Sequence, residues 1–250
     1  MIFEPCEQGS ELWHLARAGG ITASMFNTAR TILKSGKNKG DYSSAAHDYA
    51  YKLAVERRKC APLDHDEYET WDMRRGRELE HSARLVHEQK LGIFVEQAGY
   101  VCTDDRRFGY STDGFIGDDG MAEYKCFTSP SKIRDILFND SADVVIDQVQ
   151  GGLWLTNRKW CDFCLYSPDM EDFGLDLVIN RIYRDDEYIA ELEQDLLRFD
   201  ALVEGYMARL IDRGKRNKAF IESLTGFTPD TENYVEQAEP EESLILDNVF

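Results

Sequence analysis

Residues 108–126 read FGYSTDGFIGDDGMAEYKC, and this stretch decides the fold. Two apolar-aromatic runs, 108–116 and 121–127, flank the Gly-Asp-Asp-Gly of 117–120, turn chemistry that predicts a β-hairpin. Side chains two apart on a strand share a face, so Glu123 and Lys125 point the same way and the paired strand brings Asp113 beside them. For Asp113 and Glu123 to lie opposite one another, the loop must be odd in length or carry a bulge; Gly117 and Gly120 can each adopt the positive φ this needs. Two carboxylates and an ammonium then converge. That set suits a hard cation such as magnesium on a phosphodiester, with the lysine orienting water and stabilising developing negative charge. An exposed hairpin with solvated charges is the alternative from this stretch alone.

The 250 residues, 42% hydrophobic and 12% aromatic, suffice for a sizeable core. One domain over 1–225 followed by an acidic tail at 226–250 is the expected organisation. No signal-peptide pattern and no run near the roughly 20 apolar residues of a membrane span occurs, so the expectation is a cytoplasmic protein without membrane association. Six scattered cysteines, at 6, 60, 102, 126, 161 and 164, read as reduced thiols rather than a disulfide framework. A net charge of -18 excludes a broadly basic surface for nucleic acid. Eight of the 47 acidic residues lie within 222–247, and the remainder still sets 39 acids against 29 bases. Any cations for a polyanion must form a confined patch or line an enclosed channel.

Upstream, Ser10 is the expected N-cap of a short helix that carries Trp13 and Arg17 and stops at Gly19 and Gly20, with a second helix from about Thr22. Arg17 and Ser24 can then face one point, where guanidinium, hydroxyl and free helical amides would bind phosphate. An ordinary helix-turn-helix is the competing reading. The basic loop KSGKNKG at 34–40 suits contact with a nucleic-acid backbone or simple solvation. Helices are expected at 43–58 and 68–90, the second with Leu79, Ala83 and Val86 as its buried stripe, Glu80 at the edge and Gly76 one turn earlier. His81 and His87 read as partly exposed. Strands are expected at 93–103, 160–167 and 175–183, and helices at 132–139 and 144–156. Gln148 lies off the core face of the latter helix, where Gly151 and Gly152 predict close packing against another backbone. Cys161 and Cys164, three apart on a strand, face opposite sides and are poorly placed to share a metal. Residues 185–213 carry Ile189, Leu192, Leu196, Phe199, Val203, Tyr206 and Leu210 at alternating spacings of three and four, a seam to be covered by the domain's own sheet or by another subunit.

The segments EQGSELWHLARAGGITAS, RGRELE, STDG with AEYKC, and DQVQGGLW, in this order over about residues 7–210, resemble the phage lambda exonuclease and its YqaJ-like viral recombinase relatives. The resemblance implies an α/β (α+β) fold with a restriction-endonuclease-like core, a mixed central β-sheet flanked by helices. By position it implies Asp113, Glu123 and Lys125 as the catalytic set and Glu80 as a further, helix-borne carboxylate. Asp113, Glu123, Glu80 and the backbone carbonyl of Tyr124 would hold two magnesium ions, with manganese as a substitute. Arg17 would receive a 5′-phosphate with Ser24 beside it, and Ser111 and Gln148 would line the site. The implied activity is 5′-to-3′ hydrolysis of double-stranded DNA ends to mononucleotides, leaving a 3′ overhang. The implied partners are the DNA end, two further copies in a homotrimeric ring, and a single-strand annealing protein; a ring confines the required cations to its bore.

Thr112 stands where relatives often have proline, and Pro130 is displaced downstream of the lysine-cysteine pair, departures that bear on loop geometry. The alternative within the same fold is an iron-sulfur nuclease of repair or CRISPR adaptation, for which Cys6, Cys161 and Cys164 form a thin ligand set. The tail beyond 226, acidic with an apolar island at Leu244, Ile245, Leu246, Val249 and Phe250, lies outside the resemblance. It reads as a solvating tail or as a segment ordered on a partner.

Overall fold

A computed structural model describes residues 1–63, 71–139, 143 and 145–225. The acidic tail and the expected helix start at 68 lie outside the described residues. Two compact units are distinguished, Met1–Met207 and Ala208–Phe250.

The chain opens with β1 (Ile2–Glu4) and α1 (Glu11–Arg17), whose N-cap Ser10 accepts the Trp13 N–H at 3.2 Å. A full second helix does not start at Thr22. The β-branched pair Ile21–Thr22 instead forms β2, parallel to residues 108 and 109, and leads into a 3₁₀ turn (Ala23–Met25) and the single-turn α2 (Phe26–Ala29). Ser43 caps α3 (Ser44–Lys59), and α4 (Trp71–Leu91) follows. The strand expected at 93–103 shrinks to β3 (Tyr100–Cys102), because the segment changes sheets: Glu96 makes an isolated bridge to Phe115, whereas Tyr100 pairs with Ser111. Then come β4 (Phe108–Ser111), β5 (Gly114–Ile116), β6 (Gly120–Lys125), α5 (Pro130–Asn139), α6 (Ile146–Thr156), β7 (Trp160–Tyr166), β8 (Leu177–Tyr183) and α7 (Asp186–Thr225). Pro130, the displaced proline, opens α5 at a position where a missing N–H costs nothing.

Two mixed four-stranded sheets result, ordered β1-β3-β4-β2 and β5-β6-β7-β8. The fold is the expected α+β class with mixed sheets flanked by helices, but run 108–116 is two strands in two sheets rather than one. In the second sheet β6 and β7 are the parallel central pair, and Met121, Ala122, Cys161, Phe163 and Cys164 are fully buried there. Ala83 of α4 is fully buried against this sheet with Leu79 and Val86 partly so, as the stripe required.

Gly151 and Gly152 of α6 do pack closely, though against aromatic rings rather than backbone. A Cβ would stand 2.4 Å from Phe26 at the first and 2.6 Å from Tyr110 at the second. The α7 seam is buried from Ile189 to Val203 within its own unit, where Phe199 stacks on Tyr49 at 5.6 Å and meets Tyr42 edge-on. No helix among the described residues is long and apolar enough to cross a membrane.

Candidate active site

The β5–β6 hairpin closes through the three residues 117–119, with Gly117 at φ 55° and Gly114 opposite Ala122. The loop is odd, and the register carried one residue further sets Asp113 opposite Glu123. Gly120 is not a second positive-φ position; it makes room for the Trp160 ring, which a Cβ would approach to 2.3 Å.

Asp113 sits in the break between β4 and β5. Thr112, in place of proline, holds that break: its buried hydroxyl lies 3.1 Å and 3.2 Å from the carbonyls of Gly114 and Ala122 and accepts the Gly114 N–H at 3.3 Å. The Tyr124 N–H then donates to Asp113 Oδ2 at 2.7 Å, tying the aspartate to the strand that carries Glu123 and Lys125.

Glu123 is 1% exposed, and such a carboxylate must be fully bonded. Lys125 Nζ and Gln148 Nε2 both donate to Oε1, at 2.6 Å and 2.5 Å, and the Tyr110 hydroxyl donates to Oε2 at 2.7 Å. Burial, then the charges of Glu123 and Glu80, push the Asp113 carboxyl well above the ordinary range. Burial and then Glu123 likewise raise Glu80. For Lys125 burial disfavours the charge, but Glu123 and Asp113 outweigh it and hold the ammonium above the usual lysine value.

From the other side of the cleft, Arg17 lies 3.9 Å over the Trp13 ring and donates to Ser111 Oγ at 3.1 Å, where Trp13 Nε1 also donates at 2.8 Å. Ser24 Oγ stands 3.5 Å from Thr22 Oγ1. Arg17, Ser24, Ser111 and Gln148 thus line one cleft of about 180 Å³ with Asp113, Glu123 and Lys125. Glu80, on α4, reaches this group through charge and does not line the cleft. Gln8, Trp13, Thr22 and Tyr110 also line it, beyond the residues that the sequence marks for the site. Tyr110 carries no sequence signal beyond an aromatic in a buried strand, since its role depends on the length of its reach across to Glu123.

All-oxygen donors and mutually repelling carboxylates beside a single ammonium fit a hard divalent cation in kind. Among the described residues no three His, Cys, Asp or Glu side chains already form a cage, and the Glu123 oxygens are taken by Lys125, Gln148 and Tyr110.

His87, expected to be partly exposed, is instead fully buried, with Nδ1 3.0 Å from the Tyr124 hydroxyl and Nε2 3.3 Å from Asp162 Oδ2. Cys161 and Cys164 are both fully buried in β7, a strand whose alternation turns them to opposite faces. A larger open hollow of about 430 Å³ beside α2 includes Arg30, but Asp147 and Asp195 already hold that guanidinium at 2.7 Å and 2.6 Å.

A mixed-sheet core that sets an aspartate and a Glu-x-Lys strand in one cleft, with a helix-borne glutamate coupled to them by charge, is the arrangement of the restriction-endonuclease-like fold class. Residues 12–159 match the YqaJ-like viral recombinase domain, and the chain belongs to that family, the lambda-exonuclease group its sequence resembles. Among solved structures, an alkaline exonuclease from Laribacter hongkongensis is 29% identical with a TM-score of 0.69, covering 83% of this chain and 99% of that one. The same enzyme in complex with dAMP gives a TM-score of 0.70 at the same identity and coverage. A phage-related exonuclease from Haemophilus somnus 129PT, 17% identical, shares the fold with a TM-score of 0.54 over 78% of this chain and 96% of that one. No curated protein sequence matches.

Proposed function

We propose that this protein is a magnesium-dependent exonuclease that removes mononucleotides from the 5′ ends of double-stranded DNA and leaves a 3′ overhang for an annealing protein. One observation carries the reading: a single cleft unites Asp113, Glu123 and Lys125 with the Arg17–Ser111 pair. The exonuclease relatives and the dAMP held by the Laribacter enzyme support a nucleotide as product.

Two magnesium ions, for which manganese can substitute, would be held by Asp113, Glu123, Glu80 and the Tyr124 carbonyl and would supply Lewis-acid stabilisation of the phosphate oxygens. Lys125, anchored on Glu123, orients the attacking water and stabilises charge building on the phosphate. Gln148 and Tyr110 keep Glu123 in register. Arg17, flattened on Trp13, offers a planar fork to the terminal 5′-phosphate, with Ser24 and Ser111 beside it. A homotrimeric ring would reconcile an acidic body with a DNA substrate, since cations need line only its bore.

Blunt duplex labelled at either the 5′ or the 3′ end, with magnesium or with EDTA, tests this. The 5′ label should leave first as mononucleotide, the 3′-labelled strand should stay long at early times, and EDTA should stop both. Early release of the 3′ label would reverse the polarity and defeat the role given to Arg17.

A further inference from the structure

Between Arg17 at the end of α1 and Ser24 in the 3₁₀ turn lie six residues whose backbone is gripped from α3. Gly19 takes φ 75° against α3, where a Cβ would come 2.7 Å from Arg57 Cγ, so the approach is closer than a side chain allows. Its N–H donates to Glu56 Oε2 at 3.0 Å, and its carbonyl accepts from Arg57 Nε at 2.9 Å. Two turns back on the same face, the Tyr49 hydroxyl accepts the Thr22 N–H at 3.1 Å and lies 3.4 Å from the Gly20 carbonyl. Gly20 N–H in turn donates to the Arg17 carbonyl at 3.0 Å.

Glu56 is 5% exposed, and Arg57 is anchored behind by Asp200 and Glu204, each at 2.7 Å. A carboxylate this buried is costly, and an apolar residue would pack the turn more cheaply. What the charged pair adds is direction. Two peptide groups next to Arg17 are fixed by hydrogen bonds whose donors and acceptors are themselves tethered. A bidentate guanidinium contact tolerates only small displacement, so the angle at which Arg17 enters the cleft matters as well as its presence.

We infer that Glu56, Arg57 and Tyr49 are positioning residues that set the preference for a phosphorylated 5′ end, which rests on the reading of Arg17 above. The measurement is the ratio of initial rates on 5′-phosphorylated and 5′-hydroxyl duplex, with thermal melting of each variant. In Glu56→Ala the ratio should fall about tenfold toward that of Arg17→Ala, while the 5′-hydroxyl rate stays within about twofold of the parent. Glu56→Gln, whose amide oxygen still accepts the Gly19 N–H, should keep the ratio.

Arg57→Met provides a second test should Glu56→Ala fail to fold. Its stem still packs on Gly19 and Asp200 keeps Arg107 at 3.2 Å, so it should fold and also lose the ratio. A ratio unchanged in folded Glu56→Ala and Arg57→Met but lost in Arg17→Ala would overturn the clamp and leave Arg17 standing. Equal slowing on both substrates would reduce the clamp to a structural role and overturn it. A parent enzyme indifferent to the 5′-phosphate would defeat the reading of Arg17 and the clamp with it.

Discussion

Glu123 is the residue on which the site converges, since Lys125, Gln148 and Tyr110 all spend a donor on it, while Asp113 is tied to the next peptide along. A divalent ion bound at these carboxylates would stabilise the native state by mass action, because the unfolded chain does not assemble them. Magnesium should therefore raise the melting temperature of the parent protein and EDTA reverse the gain, whereas Asp113→Asn should show neither. Lys125→Met should lower turnover by about 10²–10³, the magnitude typical of losing one preorganised electrostatic donor, without changing that magnesium-dependent gain. A magnesium gain retained in Asp113→Asn would remove the aspartate from the metal site.

Helix α4 carries Glu80 and, two turns on, His87, so whatever fixes His87 also fixes the height of Glu80 above the sheet. The anchor is a buried chain: His87 meets Tyr124 of β6 and Asp162 of β7, and Asp162 takes Arg181 of β8 in two bonds of 2.7 Å and 2.9 Å, with Arg181 laid 3.8 Å over Trp160. Burial alone would raise the Asp162 carboxyl; His87 and Arg181 outweigh it and hold it below the ordinary 3.8. For a depressed aspartate the stabilisation is complete above 3.8 and is lost as pH falls through the lower folded value. Asp162→Asn should therefore cost about 1.5–3 kcal/mol near pH 7, as for a hydrogen bond to a charged group, and the gap from the parent should narrow as pH drops below 3.8. A gap constant across that window would mean that Asp162 is uncharged in the fold.

At the scale of the molecule the governing fact is charge. A chain of 28.8 kDa and net charge -18 would have to confine its contacts with a polyanion, and the proposed channel between copies would do so where an open face would repel. Light scattering should give three times the chain mass, and exonuclease rate should fall steeply with added salt. A monomer at all working concentrations would refute the ring and return the charge problem to a local patch.

What the sequence determined by itself is whatever a residue settles with its near neighbours. Ser10 and Ser43 cap helices because their side chains reach amides three residues on. Gly117 turns the hairpin because it tolerates positive φ, and Glu123 and Lys125 share a face because strands alternate. The tertiary structure alone decided where one strand became two, since Thr112 bonds backbone that a local pattern reads as continuous. It also decided burial. His87 follows the helical period of a half-exposed face, yet β6 and β7 close over it, and no periodicity reports which surfaces will meet. The join of Arg17 to Ser111, 94 residues apart, and the grip of α3 on Gly19 arise in the same way, from long-range packing that brings together groups with no local relation.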